Sequence, residues 1–252
     1  MNEPANRPAN SLATTPALGP ILGGLALPTL IIGLYLGLVW APADSQMGNV
    51  QRIMYVHFPS WIATAVGYFT AFVASVLYLV RRRPVWDHAA VAGAEVGVVF
   101  NIIGLVSGAI WGRPTWGVWW TWDPRLTSTA ILLTIFVGYL LLRSFIEDPD
   151  TRARASAVVA IVGFVNMPIV YFSVRWWRTL HQVQSSPATV DPRMVLALRV
   201  MMVAALLIAG SLIAGRHELA RLDDGAERAG APERSGSRRV VAIDPYEGAT
   251  YG

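Results

Sequence analysis

The stretch His88-Ala-Ala-Val-Ala-Gly-Ala-Glu95-Val-Gly-Val-Val-Phe100-Asn101-Ile-Ile-Gly-Leu-Val-Ser-Gly-Ala-Ile-Trp111 carries one acidic residue in an otherwise apolar run. A helix needs about 20 mostly apolar residues to cross a bilayer, and this run supplies them. Five more runs of the same kind lie at Leu18 to Trp40, Phe58 to Val80, Leu126 to Phe145, Ser156 to Val174 and Met194 to Gly215. None alternates with period two, which favours helices over a transmembrane barrel. The expected fold class is therefore all-α: a polytopic integral membrane protein of six transmembrane helices, with a tryptophan-rich surface segment on its extracytoplasmic side.

Composition agrees. The chain is 54% hydrophobic and 14% charged, with a mean hydropathy of +0.46, against roughly 25% charged residues in soluble domains. It contains no cysteine, which excludes disulfide exchange, iron–sulfur ligation and thioether attachment of haem. Lysine is also absent, so all 20 basic residues are arginine. That excludes a P-loop ATPase and a Schiff-base enzyme, and any ATP hydrolysis falls to another subunit. The pI of 9.8 reflects arginines flanking the membrane and does not imply nucleic acid.

Arginine placement sets the expected direction. With both termini cytoplasmic, 13 of the 20 arginines fall inside, among them the run Arg81-Arg82-Arg83. Residues 1–17 and 216–252 read as disordered cytoplasmic tails around a membrane domain at 18–215. Ala41-Pro42-Ala43 looks like a signal-peptidase site. The apolar run before it is too long for a signal peptide and lacks a basic start, so an uncleaved helix is expected.

Tryptophan normally lines both membrane interfaces. Here nine of ten (Trp40, Trp61, Trp111, Trp116, Trp119, Trp120, Trp122, Trp176 and Trp177) fall at the extracytoplasmic ends, leaving only Trp86 inside. The centre of the set is Trp116-Gly-Val-Trp119-Trp120-Thr-Trp122-Asp123, within a segment spanning 111–128. On a helix, Trp116, Trp119 and Trp120 share a face, an aromatic plate suited to a flat apolar ligand, a sugar or a protein. Asp123 is placed to cap the following helix.

Two histidines flank the plate. His57 precedes the second span, with Trp61 one turn on. His181 follows the fifth, with Trp177 four residues before it. Four crossings separate them, so both face one compartment. Singly each is an ordinary interfacial polar residue, but as a pair beside an aromatic plate they suit the axial ligation of a haem iron. Arg52, Arg125, Arg175 and Arg178 lie within a few residues of these groups, and guanidinium pairs bidentately with a propionate carboxylate. Some of the four suit lipid phosphate instead.

At these residues the chain resembles the CcmC family of haem-handling membrane proteins in cytochrome c maturation, which carry a WWD domain. Three blocks in order carry the resemblance: Arg52…Tyr55-Val-His57; Trp116 to Ser128 around Trp119-Trp120-Thr-Trp122-Asp123; and Asn166-Met-Pro168…Trp176-Trp177-Arg178-Thr-Leu-His181. Pro124 departs from the small residue expected there. The resemblance implies noncovalent haem b ligated by His57 and His181 and held by Trp116, Trp119, Trp120, Trp122 and Asp123. Arg52 and Arg125 are then contacts to haem or its propionates, with Arg178 a further candidate from its position beside His181. It further implies a non-enzymatic haem-transport subunit of the bacterial inner membrane, presenting haem to the periplasm. The implied partners are the ABC subunits CcmA and CcmB, the small CcmD, the haem chaperone CcmE, and membrane lipid.

The main alternative is a cytochrome b anchor of a redox enzyme, against which stands the placement of both histidines at span ends. A transporter with inverted repeats and a purely structural subunit are further alternatives. Glu95, about 10 Å into its span, is a costly intramembrane carboxylate, expected protonated or hydrogen-bonded across a helix interface. Asn166-Met-Pro168 should break the fifth span, with the asparagine amide satisfying the freed carbonyl.

Overall fold

The computed structural model describes residues 18–181 and 190–230. Helix α1 (Leu18–Tyr35) runs on into a π-turn at Leu36–Trp40, and a 3-10 turn (Asn49–Ile53) leads into α2 (Met54–Arg81). Then follow α3 (Pro84–Trp116), α4 (Pro124–Phe145), α5 (Pro149–Phe164), α6 (Asn166–Trp176) and α7 (Pro192–Gly230). Among the described residues, six helical segments are long and apolar enough to cross a membrane: Leu18–Trp40, Asn49–Arg81, Pro84–Trp116, Pro124–Phe145, Pro149–Trp176 and Pro192–Asp224. The chain is thus an all-helical, multi-pass membrane protein, and every span read from the sequence is present. Of the expected tails at 1–17 and 216–252, residues 1–17 and 231–252 lie outside the described residues, while 216–230 are helical and not disordered as expected.

Arg82, in the left-handed conformation at φ 52°, ends α2, and Pro84 opens α3 at its first turn. Proline is favoured there because its missing N–H would be unpaired anyway. The resulting hairpin packs backbone to backbone. A Cβ on Gly67 would sit 2.6 Å from the Gly97 nitrogen, and one on Gly93 would sit 2.6 Å from the Gly67 carbonyl oxygen. Between apolar helices in lipid, such close approach replaces the hydrophobic drive that water provides. Around the hairpin, α7 packs on α1, α2 and α3, while α4 and α5 close the other side and α6 lies on α4. The core centres on Tyr68, Leu132, Phe136 and Tyr139. The Tyr68 and Phe136 rings stack at 3.8 Å, and the Asn101 amide donates to the Tyr68 hydroxyl at 3.1 Å.

The fifth span breaks between Phe164 and Asn166. The Asn166 amide does not turn back on its own helix as expected. It reaches α4 and donates to the Ser128 carbonyl at 2.7 Å. The last helix does not end at Gly215 either. It continues to Gly230, anchored by Arg216 on Glu95 (2.8 Å), His217 against the Val85 carbonyl (3.3 Å) and Asp224 on His88 (3.2 Å). Glu95 therefore has an arginine of its own chain as partner, which compensates the burial of both charges.

Candidate functional site at the tryptophan-rich end of the bundle

His57 lies in the first turn of α2, held against α3. Its Nδ1 is 3.0 Å from the Gly104 carbonyl and 3.2 Å from the Ser107 hydroxyl. That hydroxyl itself donates to the Ile103 carbonyl, so both neighbours act as acceptors and Nδ1 carries the proton. Nε2 then bears the lone pair. In agreement, the Trp61 indole N–H donates to Nε2 at 3.2 Å. Glycine makes this slot: a Cβ on Gly108 would stand 2.9 Å from the imidazole Cε1, and one on Gly104 would stand 3.2 Å from the Trp61 ring. Trp111 closes the side, edge-on to His57 at 5.7 Å.

His181 is reached quite differently. After α6 the chain is irregular, and Asp123 gathers it in. Asp123 caps α4: its Oδ1 accepts from the Arg125 and Leu126 backbone N–H groups at 2.9 and 3.2 Å. Its Oδ2 accepts from the Leu180 N–H at 2.8 Å, and Oδ1 lies 3.3 Å from His181 Nδ1. The carboxylate side chain is only 2% exposed. Burial pushes its pKa up, but hydrogen bonds from Thr179, Leu180 and Leu126 and the nearby His181 outweigh burial, leaving it below the usual range. At His181, burial lowers the pKa more than Asp123 raises it. The imidazole is neutral, donating from Nδ1 and presenting Nε2, as a carboxylate-oriented ligand does. Trp116 packs edge-on against it at 4.8 Å; Trp177, the neighbour expected from sequence, packs on Trp176 instead.

His57, His181 and Arg125 lie within electrostatic range of one another. Arg178 is exposed beside the same segment. Arg52 points elsewhere. Its guanidinium donates to the Gly37 carbonyl and to the Ala41 carbonyl at 3.1 Å, and its Nε to Asn49 at 3.1 Å. It thereby ties the start of α2 to the end of the first span.

The expected aromatic face of Trp116, Trp119 and Trp120 on one helix does not form. Helix α3 stops at Trp116, because Gly117 adopts φ 80° and Arg113 donates to its carbonyl. Residues after it run irregularly to the Asp123 cap. Trp119 and Trp122 stand 59% and 78% exposed, and Trp120 meets Trp122 edge-on at 5.6 Å. Only Trp116 turns inward to the histidine. The Asp123–Leu180 link and the Gly104/Ser107/Gly108 wall are the parts that sequence reading missed. The glycine spacing of four opposite His57 was the available signal.

Among the described residues no three histidine or carboxylate groups converge as a bare metal ion would require. Two imidazoles, each with Nδ1 committed and an Nε2 lone pair left to accept, at His57 now from the Trp61 N–H, suit a centre that brings its own equatorial ligands. Fold and site together define a six-span membrane protein with a two-histidine, tryptophan-rich site at one end. The chain belongs to the CcmC family: the family profile described as "Heme exporter protein C" matches residues 2–228. It is 39% identical over 193 residues to the "Heme exporter protein C" of Escherichia coli, covering 75% of this chain and 78% of that one. To the protein of the same description from Bradyrhizobium diazoefficiens it is 41% identical over 199 residues, covering 76% and 75%. A Marchantia polymorpha protein described as a putative mitochondrial cytochrome c biosynthesis ccmC-like protein is 38% identical over 155 residues, covering 61% and 65%.

Proposed function

We propose that this chain is the haem-binding membrane subunit of a haem export and delivery complex in cytochrome c maturation, working without enzymatic chemistry of its own. The carrying observation is the matched pair of imidazoles. Each has Nδ1 anchored to an acceptor and Nε2 aimed away from it, in a family described as haem exporters. In this reading His57 and His181 are the axial ligands of a noncovalent b-type haem. Trp116 supports His181, while Trp119, Trp120 and Trp122 border the ring. Arg125 and Arg178 meet the propionates, and Arg52 positions the His57 helix. Asp123 orients His181, and raises its ligand basicity, as outer-shell carboxylates do.

The arginine distribution supports cytoplasmic termini in a bacterial inner membrane and a site facing the periplasm. The domain layout is one membrane unit between two short terminal segments. The family also supports the partners: CcmA and CcmB for ATP-driven work, CcmD, and CcmE as the haem acceptor. The exposed tryptophans are the surface for that acceptor, since large aromatics dominate protein interfaces.

The test is the absorption spectrum of the purified protein in both redox states, for wild type, His57→Ala and His181→Ala. Wild type should show a low-spin bis-histidine Soret pattern, and each variant a high-spin shift or haem loss. Unchanged low-spin spectra in both variants would remove these histidines from the iron.

A further inference from the structure

At the opposite end of the bundle α3, α4, α5 and α7 enclose a cavity of about 420 Å³. Its wall mixes the charged Glu95, Arg143, Arg152 and Arg216 with apolar Val91 and Leu140. Two of the three arginines are satisfied within the protein. Arg143 holds both oxygens of Asp87 at 2.7 and 2.8 Å, and Arg216 holds Glu95 at 2.8 and 3.3 Å.

Arg152 is not. It makes no ion pair among the described residues, and its Nε is buried without an acceptor. The acids next to it in sequence make their hydrogen bonds and ion pairs elsewhere, with Asp148 only within electrostatic reach of it. Asp148 caps α5 through the Thr151 N–H, and Asp150 takes the Tyr78 hydroxyl and Arg154. Guanidinium stays charged at any accessible pH. A half-buried guanidinium that lines the cavity without an ion pair carries an uncompensated charge until an anion comes to lie beside it.

We propose that this cavity seats the phosphate of an anionic membrane phospholipid, with Arg152 as its principal contact. Three features favour this occupant. A planar guanidinium fork matches phosphate oxygens two at a time. Val91 and Leu140 offer an apolar wall beside the charge, as a glycerol and acyl root requires. On the same turns of α4, Leu141 and Phe145 are 54% and 81% exposed, an outward apolar surface of the kind that acyl chains cover. The site lies at the arginine-rich ends of the spans, where the headgroups of one leaflet reside.

The experiment counts phospholipid retained by the full-length protein. Wild type, Arg152→Gln, Arg152→Lys and Arg154→Gln are exchanged into detergent, titrated with dioleoylphosphatidylglycerol or dioleoylphosphatidylcholine, and read by native mass spectrometry. Wild type should bind phosphatidylglycerol roughly tenfold more tightly than Arg152→Gln, the expected effect of one charge-assisted contact. Arg152→Lys should lie between them, and Arg154→Gln should match wild type. Millimolar inorganic phosphate should not displace the lipid. Equal affinity in Arg152→Gln would overturn the proposal. So would an equal fall in Arg154→Gln, which would mean diffuse surface charge, or displacement by inorganic phosphate, which would mean a free-anion site. A retained Soret spectrum in Arg152→Gln shows that the fold and the distant histidine site are intact.

Discussion

Replacing Asp123 separates two duties that this carboxylate performs at once. In Asp123→Ala the α4 cap disappears, a loss of about 1 kcal/mol. The Leu180 N–H, now bonded at 2.8 Å, is left unpaired at about 1–3 kcal/mol. The total, about 2–4 kcal/mol, is a stability effect and says nothing about iron. The second duty concerns His181, whose Nδ1–H loses its carboxylate acceptor and keeps only the longer contact to the Thr179 hydroxyl at 3.4 Å, so the ring's tautomer and angle are held more loosely. Removing such an outer-shell partner costs roughly 10–100-fold in metal affinity.

Asp123→Asn divides these effects. Its single oxygen can keep the cap contacts and His181 Nδ1, now at 2.9, 3.2 and 3.3 Å. Its amide nitrogen must then face the Leu180 N–H, donor against donor. The assay is haem dissociation to a soluble haem acceptor in stopped flow, with the midpoint potential beside it. Asp123→Ala should release haem on the order of 10–100-fold faster, and Asp123→Asn by a smaller factor. Both should raise the potential, since a less basic imidazole stabilises ferric iron less. If Asp123→Ala loses thermal stability while release rate and potential stay at wild-type values, the carboxylate is a helix cap alone and the role given to His181 is wrong.

Four further outcomes follow from the same geometry. Trp61→Phe removes the indole N–H that now occupies His57 Nε2 while keeping a ring against Gly104. It should slow haem release several-fold, as one competing hydrogen bond of about 1 kcal/mol is lost; faster release would mean that the indole only packs. Trp119→Ala and Trp120→Ala should lower the yield of covalent haem–chaperone adduct at least as much as haem content, read in one preparation by Soret absorbance and haem-stained gels. Acidification should weaken both fold and site. The His181 pKa is lowered by burial, so below the ordinary value of 6.5 the unfolded chain takes the proton first and stability falls with pH. Asp123, also held low, keeps its contribution above the ordinary 3.8 and loses it only as pH falls through its folded value; a haem-free melting curve flat from pH 7 to 5 would contradict the His181 assignment. Reporter fusions at Gln46 and Gly117 should read extracytoplasmic, and fusions at Pro84 and Asp150 cytoplasmic; the reverse at Gly117 would put the site in the wrong compartment.

The spans and the segregation of arginine from tryptophan were legible because they depend on composition along the chain. An apolar run such as His88 to Trp111 announces a crossing whatever it packs against. What it does not announce is rotation about its own axis. Lipid and protein neighbours are equally apolar, so α3 carries little sequence pattern to say that Gly104, Ser107 and Gly108 face His57. The same limit hid the pairing of Glu95 with Arg216, which lies 121 residues away. That pairing explains why α7 continues past Gly215. The plate failed for a local reason. Trp116, Trp119 and Trp120 share a face only where the helix continues, and Gly117 in the left-handed conformation ends it at Trp116.

The two histidines are mounted on different parts of the bundle, and under the proposed function this bears on how a ligand shared between them would be handed on. His57 belongs to the α2–α3 hairpin, where glycine-to-glycine contact fixes the helices and a backbone carbonyl fixes the imidazole. Neither mount can give without separating the two helices. His181 sits beyond α6 on an irregular segment, held by the carboxylate that also caps α4, by the Thr179 hydroxyl two residues before it and by the Trp116 ring. Local opening draws on the least stable elements, so the His181 arm can loosen while the hairpin stays closed. When it does, the Trp61 N–H is already in place to satisfy the His57 lone pair, and the vacated nitrogen is never left bare in an apolar slot. A site that must hold a flat ligand and then surrender it needs one rigid ligand, one yielding ligand and a substitute bond for the first. Under the proposed function, His57, His181 with Asp123, and Trp61 would serve as these three.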